Sequence, residues 1–100
     1  MKVYTFLTDG FETVEALAVI DILRRAGIEV ETVSITGNEQ VCSAQNITVN
    51  ADTLFKAQPV CKEDVLFLPG GPGHKQYNEC KPLLKLLEKH HAEGGRIAAI

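Results

Sequence analysis

Residues 2–35 read as one strand–helix–strand unit, and that reading leaves the chain few architectures. Lys2 to Thr8 is rich in β-formers and ends at Asp9-Gly10, a turn signal. From Phe11 the apolar spacing becomes helical and runs to Arg24 and Arg25, with Gly27 as the stop. Asp9 and Glu12 have capping-box spacing, while acids at the start and arginines at the end both suit the helix dipole. Ile28 to Ile35 then alternates as IEVETVSI, close behind the helix, so the two strands run parallel through a right-handed crossover. A parallel sheet needs helices on its faces, which makes the fold class α/β.

The rest of the chain extends this plan. Val14, Leu17, Ala18, Val19, Ile20, Ile22 and Leu23 make helix one apolar on more than one side. One face packs on the sheet and another on something else, such as a second subunit. Val41 to Ser43 and Ile47 to Val49 read as a small hairpin or flap, and Ala51 to Asp64 as a connection with one helical turn near Thr53 to Ala57. Val65 to Leu68 is the next parallel strand and runs into Pro69-Gly70-Gly71-Pro72-Gly73. Pro82 to Glu93 returns to helical spacing, Gly94-Gly95 stops it, and Arg96 to Ile100 reads as one more buried strand.

One hundred residues make a single domain. A formal charge of −3 without a basic stripe argues against nucleic acid and against an anionic membrane surface. No apolar run reaches membrane-spanning length, and the amino terminus reads as a first strand, not a signal peptide. Cys42, Cys61 and Cys80 form no C-x-x-C pair, so neither a disulfide framework nor a zinc site is indicated, and the expected setting is reducing and cytoplasmic.

Chemistry is expected where the sheet's carboxyl ends meet bare backbone. Gly70 and Gly71 can offer N–H donors to an oxyanion, or they form an ordinary strand-to-helix turn. The phosphate-loop and dinucleotide readings fail on spacing, and Pro72 removes one donor. Glu15 has Phe11, Ala18 and Val19 as helical neighbours; a carboxyl on such a face suits proton transfer or a shared-proton hydrogen bond, or is only a first-turn acid favoured by the dipole. His74 follows the turn, where it is either an acid–base group or a polar surface residue. Gly10 and His74 are the candidates for contact with substrate. His90 and His91, at the end of the last helix, read as structural, and none of the three cysteines is an evident nucleophile.

Gly10 with ETVEALAVIDILRRAGIEV (12–30), VCS (41–43), LPGG (68–71) and GRIAAI (95–100) together resemble the ThiJ/PfpI superfamily, in particular its protein deglycase and glyoxalase-like branch. The resemblance implies a flavodoxin-like three-layer sandwich with a mainly parallel sheet and a hairpin flap. It also implies a domain nearly twice this length, of which residues 1–100 are the amino-terminal part. A cysteine nucleophile would stand directly after Ile100, with Glu15 as the carboxyl that hydrogen-bonds it and Gly70 and Gly71 as the oxyanion-side backbone.

The implied activity is cysteine-dependent glyoxalase or deglycase chemistry on α-oxoaldehydes or their adducts, with no metal or organic cofactor. The implied partners are a small carbonyl substrate and a second copy of the chain, through helix one and the flap. An oxidative-stress sensor or chaperone is the alternative, and a peptidase or amidotransferase-like hydrolase a further one. Many relatives carry arginine after Cys-Ser in the flap, where this chain has Ala44 and Gln45. On its own, this stretch would present an unpaired strand edge, so the expectation is that it exists with the remaining half attached or associated.

Overall fold

The computed structural model describes residues 1–100. Its elements are β1 (Lys2–Leu7), α1 (Thr13–Arg25), β2 (Glu29–Ser34), β3 (Gln40–Cys42), β4 (Thr48–Asn50), β5 (Thr53–Leu54), β6 (Val65–Leu68), a 3-10 turn (Pro72–His74), α2 (Lys75–Glu79), α3 (Lys81–Ala92) and β7 (Arg96–Ala99). Five strands form a parallel sheet in the order β5-β2-β1-β6-β7, and β3 and β4 form a separate antiparallel hairpin. This is a flavodoxin-like α/β fold.

The period-two alternation of β1 divides the core into two layers. Tyr4 and Phe6 join Val33, Leu66, Tyr77 and Leu83 on the side covered by α2 and α3, with Leu86 and Leu87 packed against them. Val3 joins Ile20, Val30 and Phe67 on the opposite side, under Leu17, Val19 and Leu23 of α1. Fully burying each of these large side chains contributes about 1.5–3 kcal/mol. A third cluster, Leu7, Phe11, Ala16, Val41 and Ala51, seats the β3–β4 flap on the start of α1. The strand order reverses between β1 and β6, and because the crossovers β1–β2 and β6–β7 run outward in opposite directions, α1 lies on one face and α2 and α3 on the other. That reversal opens a crevice at their carboxyl ends.

Three local expectations are corrected. The capping box does not form: α1 begins at Thr13 with Glu12 as an N-cap that makes no side-chain cap bond, and the Asp9 carboxylate instead accepts the Cys42 N–H of the flap at 3.0 Å. Thr53 and Leu54 are a strand, not a helical turn, because the open edge of β2 takes them as partners: Val33 pairs Thr53, and the Phe55 N–H donates to Ser34 O at 2.8 Å. Between the glycine turn and α3, a stretch given no element from sequence, lies the short helix Lys75–Glu79, with Tyr77 buried and its hydroxyl donating to Phe6 O at 2.7 Å. Arg96 to Ala99 do form a parallel strand, but it lies at the sheet edge and is exposed along its length. No helix is long and apolar enough to cross a membrane.

Candidate active site

The turn after β6 is knotted to the loop after β1. Gly71 has φ +116°, and a Cβ there would lie 2.5 Å from Gly10 O and 2.6 Å from the Glu12 nitrogen. Only glycine admits that approach. Two backbone hydrogen bonds use it, Glu12 N–H to Gly70 O at 2.9 Å and Gly73 N–H to Gly10 O at 3.1 Å, and a third, Gly10 N–H to Cys42 O at 2.8 Å, ties the loop to the flap. Gly10, itself at φ +85°, thereby joins flap, first loop and glycine turn through both of its backbone polar groups.

Glu15 stands in the first turn of α1, half-buried, and its Oε1 accepts the Gly70 N–H at 3.1 Å. The fit is tight: a Cβ on Gly70 would lie 2.5 Å from Glu15 Oε1 and 2.8 Å from Ile100 O. Ile100 is held there by its N–H, which donates to Leu68 O at 3.2 Å. The carboxyl of Glu15, the bare backbone of Gly70 and the end of the β7 strand therefore converge at one point. The Gly70 N–H is engaged by Glu15, whereas the knot's hydrogen bonds leave the Gly71 N–H unclaimed.

His74 is exposed, and its Nδ1 lies 3.0 Å from Gly71 O. A carbonyl only accepts, so it is Nδ1 that donates in this contact. The ring lines a cavity of about 250 Å³ with Leu68, Gly70, Tyr77, Leu84 and Ile100. His90 is buried and its Nε2 donates to Asp64 O at 2.8 Å, a structural role as its position suggested. The three thiols are free, and none of their hydrogen-bond contacts involves Glu15. No group of three or more His, Cys, Asp or Glu side chains is arranged to hold a metal ion.

One contributor went unread in the sequence. Gln45 Oε1 accepts the Thr13 N–H at 3.1 Å and the Thr13 hydroxyl at 2.8 Å, while Gln45 Nε2 donates to Glu12 Oε2 at 3.1 Å. The flap thus supplies, from 32 residues away, the cap that Glu12 does not. Gln45 lies in a polar turn with no local signal of this role, which depends on tertiary placement.

A parallel α/β sheet with an acid from the first helix against a glycine turn at the strand-order reversal defines a class, the flavodoxin-like proteins with a site at the strand ends. The chain belongs to the DJ-1/PfpI family, whose sequence pattern it matches over residues 1–100. It is 37% identical over 100 residues to protein DJ-1 homolog B of Arabidopsis thaliana, covering 99% of this chain and 23% of that protein. It is 30% identical over 89 residues to the glutathione-independent glyoxalase DJR-1.2 of Caenorhabditis elegans, covering 89% of this chain and 47% of that protein. The structure of oxidized Toxoplasma gondii DJ-1 superposes with a TM-score of 0.90 at 35% identity, over 98% of this chain and 54% of that one. The chain thus spans from about a quarter to about half the length of these relatives.

Proposed function

We propose that residues 1–100 are the amino-terminal part of a single DJ-1/PfpI domain, and that the whole protein is a cysteine-dependent enzyme of glyoxalase or deglycase type. Its substrates would be α-oxoaldehydes or their adducts. The observation that carries this reading is the Glu15 carboxyl accepting the Gly70 N–H at 3.1 Å, at a point where a Cβ on Gly70 would meet both Glu15 Oε1 and the backbone end of Ile100. A thiolate on the residue following Ile100 would add to the aldehyde carbon of the substrate. Glu15 would hold and return the transferred proton, and the Gly71 N–H, beside Gly70, would stabilise the oxyanion. With methylglyoxal, rearrangement of the thiol adduct and addition of one water release lactate and restore the thiol. His74 and Gly10 would border the approach. No metal or organic cofactor enters this scheme, and three unpaired cysteines suit a reducing, cytoplasmic setting.

The exposed apolar residues of α1, Val14 and Ile22 at 68% and 64% accessible, support a homodimer through helix one and the flap. Lactate formation from methylglyoxal by the full-length protein tests the enzymatic reading: turnover that iodoacetamide abolishes supports it, and absence of lactate refutes it. The second reading, an oxidative-stress sensor, rests on the same thiol and on the relative whose structure is of an oxidized form. Intact mass after mild peroxide separates the two, since oxidation in a protein without basal turnover favours the sensor.

A further inference from the structure

A second cleft, of about 620 Å³, lies between the β5–β6 connection and α3, beside the sheet edge opposite β7. Phe55, Pro82 and Leu86 line it with apolar surface, and Lys56, Lys85 and Lys89, all exposed, also line it. Lys85 and Lys89 are four residues apart on one face of α3, while Lys56 comes from the facing wall. None of the three makes an ion pair, and no acidic side chain lines the cleft. Glu93 borders only the neighbouring depression. In a chain of net charge −3 this is a local concentration of positive charge over an apolar floor.

The walls are already set. Gln58 is buried: its Oε1 accepts the Lys56 N–H at 3.1 Å, its Nε2 donates to Leu54 O at 3.0 Å, and its own N–H donates to Lys56 O at 2.7 Å. Phe55 is backed by Phe6 at a ring separation of 6.0 Å, and Leu86 by the main core cluster. A ligand entering such a cleft meets little ordering cost.

We propose that this cleft binds a small amphipathic anion, a carboxylate carried on a short alkyl or aryl body. The volume falls within the range of small-molecule sites, the floor takes the apolar body, and the lysines take the head group. Three apolar side chains accommodate a single ring or a short chain, which favours a free small molecule over an extended acidic peptide.

The test is titration of ¹⁵N-labelled full-length protein with octanoate, octylammonium as the opposite-charge control, and a Lys85→Glu/Lys89→Glu variant. Octanoate is expected to give saturable shifts confined to residues 55–58 and 82–89, weakened about tenfold in the variant and by added salt, with methylglyoxal turnover unchanged. Equal binding of octylammonium, shifts scattered over the surface, or an unaltered variant overturns the proposal. So does an acidic aromatic peptide that displaces octanoate at lower concentration, which would assign the cleft to a protein partner.

Discussion

Gly70 donates its N–H to Glu15 Oε1 at 3.1 Å, joining two residues 55 positions apart in the chain. That bond fixes where the carboxyl of α1 stands relative to the end of β7.

Replacing Gly70 by alanine should therefore disturb the site from within. The new Cβ would press on Glu15 Oε1 and Ile100 O, at 2.5 and 2.8 Å. A side chain and a strand end can shift, so we expect a cost of about 1–3 kcal/mol in urea unfolding together with a loss of turnover larger than the stability loss explains.

Gly71→Ala should act on folding instead. Its Cβ would meet backbone of the first loop, and its φ of +116° strains any L residue. The expected result is a greater loss of stability than for Gly70→Ala; equal stabilities would contradict the knot.

Gln45→Ala removes the cap that the flap supplies to α1. A loss of about 0.5–2 kcal/mol is expected in denaturant unfolding, with faster amide exchange in residues 13–15. Unchanged exchange there would show that the contacts at Thr13 and Glu12 carry no weight.

Burial raises the Tyr77 hydroxyl pKa above its ordinary value of 10.0. The unfolded state then loses this proton first, so the contribution is complete below about pH 10 and is lost as pH rises beyond it. Tyr77→Phe should cost about 1–2 kcal/mol at neutral pH by leaving Phe6 O unpaired. It should also show a shallower fall in stability above pH 10. Tyr4, raised mainly by desolvation, accounts for part of the slope that remains.

The sequence carried the βαβ unit, the glycine turn and the flap because each depends on local signals: spacing, glycine placement and alternation. It misled where partners from afar decide. Asp9 has the spacing of a capping residue, but the flap's Cys42 N–H competes for its carboxylate and takes it. Thr53 and Leu54 have no strand pattern of their own, and the open edge of β2 recruits them. Glu15 could be singled out from its apolar neighbours, but its contact with Gly70 rests on the tertiary fold.

The central claim, that Glu15 serves a thiol beside the glycine turn, is tested most directly by Glu15→Gln in the full-length protein. The amide keeps an acceptor for the Gly70 N–H, so unfolding free energy should change by less than about 1 kcal/mol. Lactate formation from methylglyoxal should fall by about a hundredfold or more, with altered pH dependence of thiol alkylation. Undiminished turnover, with an unchanged alkylation profile in the folded variant, would contradict the account.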